Sequence, residues 1–304
     1  MIQTIEEYLS QLKKELSGCD RATIQDALSD AEEYLRTALD KEMEDTSMLE
    51  SEVLSAIIEK YGSPEETAAA YREIESRLTP ALVTQKPRSE DSEPAQKQKK
   101  GFIKTFFGVF TDPVTWGSFL YLIISLATGI FYFTWVVTGL SLSGGLLVLV
   151  IGLPFLGLFI LSVRGIGLVE GRIVEALLGV RMPRRQPFTR RNISWWERYK
   201  AIITDKQTWF TIVYMVLMLP LGTFYFTVFI TLIALSLSGI AIPILQLGCD
   251  IPVFYIDGTR YILAGWVLPL TVIGGILLGI ITLHLARYAG RLHGAIAKTM
   301  LVRL

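Results

Sequence analysis

The chain has 304 residues, 51% hydrophobic and only 19% charged, and its 29 Lys+Arg balance 29 Asp+Glu. The zero net charge conceals an acidic head (residues 1–78, net −11), a short mixed stretch (79–100, net +2) and a basic, apolar body (101–304, net +9). Two cysteines far apart and two histidines exclude a disulfide framework and a Cys/His metal spacing, and the acidic head excludes direct binding to nucleic-acid phosphates.

Residues 2–78 carry four helical stripes. Ile2, Ile5, Leu9, Leu12 and Leu16 recur at three and four, with Gly18 where a helix C-cap belongs. Ile24, Leu28, Ala31, Leu35 and Leu39 form the second stripe, and Leu49, Val53, Leu54, Ile57 and Ile58 the third, closed by Gly62. Ser63-Pro64-Glu65-Glu66 opens a fourth helix, with a capping serine, a proline at the first helical position and a capping-box glutamate. Tyr71, Ile74 and Leu78 supply its apolar face. A small helical bundle over 1–78 follows. Met1–Ser10 lacks the basic run and apolar core of a secretory signal, so the bundle is expected in the cytoplasm.

Asp26, Asp30 and Glu33 lie four and three apart on the second stripe's other face, with Glu32 beside them. That spacing suits a docking surface for a basic partner. A solvated face is the plainer reading, and a weak divalent-ion site the least favoured.

The run Asp26-Ala27-Leu28-Ser29-Asp30-Ala31-Glu32-Glu33-Tyr34, then Lys60-Tyr61-Gly62-Ser63-Pro64-Glu65-Glu66 and Ala70-Tyr71, resembles the HAAS-type helical domain of bacterial and archaeal membrane signalling proteins, over about residues 4–78. The resemblance implies a cytoplasmic signalling or adaptor module on an integral membrane protein. Its partner would be a regulatory protein, such as a PadR-like transcriptional regulator, or a sensor kinase. It implies no catalytic residue.

Residues 79–110 read as a flexible linker and an amphipathic segment. Three prolines and mixed charge lead to Lys97, Lys99 and Lys100, then to Phe102, Ile103, Phe106 and Phe107 around Lys104, a pattern that suits an anionic membrane surface.

No charge occurs for 51 positions from Pro113 to Val163, nor for 43 from Gln207 to Cys249. A helix needs about 20 apolar residues to cross the hydrocarbon core. Four spans are expected, near 116–140, 145–163, 209–233 and 261–285, the first two turning at Ser141-Leu142-Ser143-Gly144-Gly145.

The unit repeats. Thr111-Asp112-x-x-Thr115-Trp116, Tyr121 and Gly129-x-Phe131-Tyr132-Phe133-Thr134 return 93 residues later from Thr204, at Tyr214 and from Gly222. Arg164-x-x-Gly167-x-x-x-Gly171-x-Ile173 returns 123 residues later as Arg287-x-x-Gly290-x-x-x-Gly294-x-Ile296. An insertion near 240–262 accounts for the difference. The expected architecture is all-α: a cytoplasmic bundle (1–78), then a four-span membrane domain of two parallel repeats (111–181 and 204–304) joined by an interfacial connection (182–203).

Basic residues precede the first span, follow the last and crowd the middle connection, whereas Arg260 stands alone on the other side. The positive-inside rule then places both termini in the cytoplasm of a cell-membrane protein. Glu170, Arg172 and Glu175 among Leu168, Val169, Ile173, Val174, Leu177 and Leu178, and Trp195, Trp196 and Tyr199 beside Arg198 and Lys200, read as interfacial helix. His284 and His293 also read as interfacial. Pro154, Pro220, Pro243 and Pro269 fall in apolar stretches, where prolines kink helices. Gly167/Gly171, Gly275/Gly279 and Gly290/Gly294 have the spacing that lets helices approach closely.

Leu219-Pro220-Leu221-Gly222-x-x-Tyr225-Phe226-Thr227, Gly152-Leu153-Pro154 and Leu177-Leu178-Gly179-Val180-Arg181 are similar to the "putative sensor" membrane domain, over about 113–304. The resemblance implies signal perception at the membrane. No kinase domain accompanies it, so output is expected to pass through a partner.

An enzyme is not expected, because no nucleophile–base motif and no phosphate-binding loop is present; no metal or other cofactor is called for. The expected function is a multi-pass membrane sensor or regulator that acts on a cytoplasmic partner through its head, with homo-oligomerisation left open. The outer loop with Asp250, Tyr255, Asp257 and Arg260 is the candidate for stimulus contact, and loop solvation is the plainer reading. The alternative is a transporter, or a lipid-interacting scaffold, for a neutral or lipid-like ligand.

Overall fold

The computed structural model describes residues 2–45, 49–77, 108–148, 152–183, 200 and 203–302. Of the expected linker and amphipathic segment (79–110), residues 79–107 lie outside the described residues, as does the aromatic, basic stretch at 184–199.

The head is built from α1 (Ile5–Glu15), α2 (Arg21–Asp45), α3 (Glu50–Tyr61) and α4 (Pro64–Arg77). Its helix ends follow the sequence signals. Thr4 caps α1 by accepting from the Glu7 N–H. Ser63 and Glu66 close the capping box reciprocally, at 3.2 and 2.9 Å. Gly18 and Gly62 take φ of +97° and +112°, which a side chain would resist. Tyr8, Leu12, Leu16, Ala31, Leu35 and Leu54 form the core. The buried Tyr8 hydroxyl donates to the Gly62 carbonyl at 2.9 Å and lies 3.0 Å from the Thr67 hydroxyl, tying α1 to the α3–α4 corner.

The body holds four helices long and apolar enough to cross a membrane: α5 (Pro113–Leu147), α6 (Gly152–Leu178), α7 (Lys206–Gly248) and α8 (Leu268–Leu301). A single 3-10 turn (Gly108–Phe110) precedes α5, with Asp112 as its N-cap; Asp205 caps α7 in the same way. A small hairpin, β1 (Phe254–Ile256) and β2 (Thr259–Tyr261), stands between α7 and α8.

Several boundaries differ from expectation. The turn expected at 141–145 is helix, and the chain turns after Leu147 instead. Serine and glycine break helices in water, but an apolar solvent leaves the backbone no partner except itself. There the Ser143 hydroxyl folds back on the Gly139 carbonyl at 2.6 Å, and Gly139 makes room for the Phe159 ring. The first part of the insertion, to Gly248, continues α7. The stretch 168–178, expected to lie along the interface, is the continuous end of α6. Pro220 and Pro243 sit inside α7, whereas Pro269 lies in the first turn of α8, where its missing N–H costs nothing.

The two hairpins do not lie side by side as parallel repeats. Trp135 meets Ser162 and Gly139 meets Phe159, so α5 and α6 are antiparallel; Ser236 against Gly275 and Gly239 against Thr271 show the same for α7 and α8. Between α5 and α7 the partners descend as residue number rises: Phe119 packs on Phe229, Ser125 on Gly222, and Gly129 on Met218. The hairpins therefore cross with their first helices in opposed sense. Sequence repetition and end charge describe each hairpin alone, whereas the crossing is set by where two backbones can touch. A Cβ on Gly129 would lie 2.5 Å from the Met218 carbonyl oxygen, and one on Gly222 2.2 Å from that of Ser125. Only glycine fits at either point.

Candidate functional site

At the crossing, all four long helices deliver a polar side chain to one buried point. Glu170 of α6 is 1% exposed and His293 of α8 is fully buried. Tyr121 and Tyr132 come from α5, Tyr214 and Tyr225 from α7, each nearly or wholly buried. The Tyr121 hydroxyl donates to Glu170 Oε1 at 2.5 Å and that of Tyr214 to the same oxygen at 2.9 Å, while Tyr132 donates to Oε2 at 2.7 Å. His293 Nε2 stands 2.7 Å from the Tyr121 hydroxyl and 3.0 Å from that of Tyr214. The Tyr225 ring packs edge-on against the imidazole, with centroids 5.6 Å apart.

A carboxylate in an apolar bundle is costly unless its oxygens accept hydrogen bonds, and three phenols meet that need. With Tyr121 and Tyr214 donating to the carboxylate, Nε2 of His293 is left to donate to their oxygens. His293 Nδ1 is then buried without a hydrogen-bond partner among the described residues.

The cluster is bracketed by two ion pairs. Arg164 of α6 holds Asp205, the cap of α7, at 2.7 Å, and Arg287 of α8 holds Asp112, the cap of α5, at 2.9 Å. Arg164 and Arg287 are matched positions in the repeated motif, and so are Asp112 and Asp205, so each hairpin's arginine clasps the other's aspartate.

The sequence profile described as "Putative sensor" matches residues 121–301, and the one described as HAAS matches residues 7–70. The chain belongs to the "Putative sensor" family. No curated protein and no solved structure matches it. The sensor-family match runs from Tyr121 to within the last turn of α8, so all six cluster residues lie inside it.

Sequence reasoning placed Glu170 and His293 in the headgroup layer. Both are instead interior, because α6 and α8 continue as unbroken helix through these positions and their inward faces meet the tyrosines. A signal was present. Within the repeated Arg-x-x-Gly-x-x-x-Gly motif, the residue before the second glycine is Glu170 in one copy and His293 in the other. An acid facing an imidazole at matched positions marks a pair.

The residues singled out from sequence stand elsewhere. Asp26 is 7% exposed, Asp30 accepts from the Tyr71 hydroxyl at 2.5 Å within the head, and Glu33 is exposed. The three therefore do not share one solvated face: α2 is buried along more of its circumference than its stripe predicts. In the β1–β2 hairpin, Asp257 and Gly258 form the two-residue turn with φ of +48° and +76°, the conformation that Asp-Gly favours. Asp250 is almost wholly exposed and lies 3.9 Å from Arg260, and Tyr255 pairs with Arg260 across the strands. A pair this exposed contributes little to stability.

Proposed function

We propose that this membrane protein perceives a signal in the membrane or envelope and relays it to a cytoplasmic partner through its HAAS-type head, without catalysing a reaction. One observation carries the reading: Lys298, in α8, is ion-paired with Asp20, the residue that opens α2. Asp20 also accepts from the Ala22 N–H and donates its own N–H to Glu75 of α4. Lys298 is five residues, about 7.5 Å of helix, beyond His293. A shift of α8 at the buried cluster thus bears on two helices of the head. The contact sets the N-terminal bundle beside the C-terminal part of α8, and the basic residues ahead of the first span favour the cytoplasmic face for the head. A PadR-like regulator or a sensor kinase is the partner class that the HAAS likeness suggests.

The test is a comparative pull-down from native membranes with the full chain and with a chain lacking residues 1–78. A regulator recovered only with the full chain supports the relay. Equal recoveries remove it.

A second reading, transport, gains from Glu170, because an acid inside a membrane bundle commonly marks an ion path. Proton flux into proteoliposomes that disappears in Glu170→Gln would favour transport over relay.

A further inference from the structure

Beside the buried cluster, α5 and α6 part to leave a groove of about 660 Å³, within the size range of small-molecule sites. Ala127, Thr128 and Tyr132 line it from α5, and Ser162, Gly165 and Val169 from α6. It opens outward: Val169 is 59% exposed, and Leu158 and Leu161 on the same helix are exposed as well. In a helix pair that crosses a membrane, that surface faces hydrocarbon.

The lining defines the chemistry of an occupant. No charged side chain borders the groove. Its two aliphatic hydroxyls are spent on their own helices, Thr128 on the Ser125 carbonyl at 3.2 Å and Ser162 on the Phe159 carbonyl at 2.6 Å. The phenol of Tyr132 is turned away, onto Glu170. Nothing here would recognise a headgroup, and a hydrocarbon chain would leave no polar group unpaired.

We propose that this groove holds one acyl chain of a bilayer phospholipid, and that Tyr132, with its ring against the chain and its hydroxyl on Glu170, reports occupancy to the cluster. The proposal rests on the sensing reading above and gives its stimulus a chemical class: the packing of lipid chains.

The test uses the full chain in phosphatidylcholine vesicles carrying a diazirine in one acyl chain. Photolabel should fall on the groove segments 127–132 and 162–169 several-fold more densely than on the outer face of α8 at Leu277 and Ile281. Gly165→Leu puts a side chain into the groove from a site with nothing within 4 Å of its Cβ. It should cut groove labelling several-fold and leave α8 labelling unchanged; Val169→Trp at the rim is a second filler should Gly165→Leu misfold. Labelling equal on both faces, or unchanged by both fillers, overturns the site and leaves ordinary boundary lipid.

For the reporting role, the filled groove should change amide exchange around His293 several-fold, and Tyr132→Phe should abolish that change. Exchange that does not respond, or that responds identically in the Tyr132→Phe variant, overturns that role. Neither readout uses a partner protein, so a failed pull-down would remove the relay alone.

Discussion

Glu170 and His293 hold matched places in the repeated motif, 123 residues apart, and meet through the same two tyrosine hydroxyls. The tyrosines are themselves matched, 93 residues apart, and their hydroxyls lie 3.4 Å from each other. Each copy of the motif therefore supplies one half of a centre that neither hairpin could build alone. One half carries an acid and the other an imidazole, so the centre is chemically asymmetric within a near-symmetric frame.

Removing the acceptor should be more damaging than neutralising it. Glu170→Ala leaves three buried phenols without their acceptor, at about 1–3 kcal/mol for each unsatisfied group. Glu170→Gln keeps one carbonyl oxygen and should cost less. Unfolding curves in mild detergent provide the check, and an unshifted Ala variant would show that the cluster does not stabilise the crossing.

The crossing itself depends on two glycines. Gly129→Ala and Gly222→Ala each force a methyl onto a carbonyl of the opposite helix, and overpacking of this kind costs about 1–3 kcal/mol. Gly144→Ala, with nothing within 4 Å of its Cβ, should be neutral or slightly stabilising. Cysteine cross-linking between α5 and α7 should weaken in the first two variants only.

The clasping ion pairs should show coupling. Asp205→Asn weakens the bond to Arg164 while leaving a side chain able to cap α7. A double-mutant cycle of Arg164→Gln with Asp205→Asn is expected to give an interaction of about 0.5–3 kcal/mol, and the Arg287–Asp112 cycle a similar value. Additive singles in both cycles would mean that these contacts do not hold the hairpins together.

In the head, burial is the main cause that holds the Tyr8 phenol above its ordinary value, opposed by its bond to Thr67 and assisted by the Glu66 charge. A phenol harder to ionise when folded contributes its full stability below the unfolded value near 10 and loses it as pH rises through the folded value. Tyr8→Phe should lower head stability by about 1 kcal/mol at neutral pH, from lost hydrogen bonds. It should also flatten the alkaline fall above pH 10. Hydrogen exchange of α1 in the full chain, measured against pH, distinguishes the two effects.

The β1–β2 hairpin separates turn chemistry from stimulus contact. Asp257→Asn keeps a residue tolerant of positive φ and removes the charge. If Asp257 serves the turn, a head-dependent reporter should respond as in the wild type, and the same should hold for Asp250→Asn. A lost response with an intact hairpin would make the carboxylates part of the sensing surface.

Much of this protein follows from local pattern. Leu12, Leu35 and Leu54 repeat at helical spacing and Ser63–Glu66 spells a cap, so the head was legible because helix periodicity and capping act over four residues or fewer. The body was legible as apolar helices because hydrocarbon forbids charge along their lipid-facing lengths. What the sequence could not reveal alone was which matched residues meet. Glu170 reads as the same residue whether it faces headgroups or three phenols. Gly129 and Gly222 read only as matched positions of the repeat until each is seen to admit the other helix's carbonyl. The crossing, the acid–imidazole centre and the Lys298–Asp20 contact join residues tens to hundreds of positions apart, and contacts of that range are decided by the packing of whole hairpins, a property that no short stretch of chain contains.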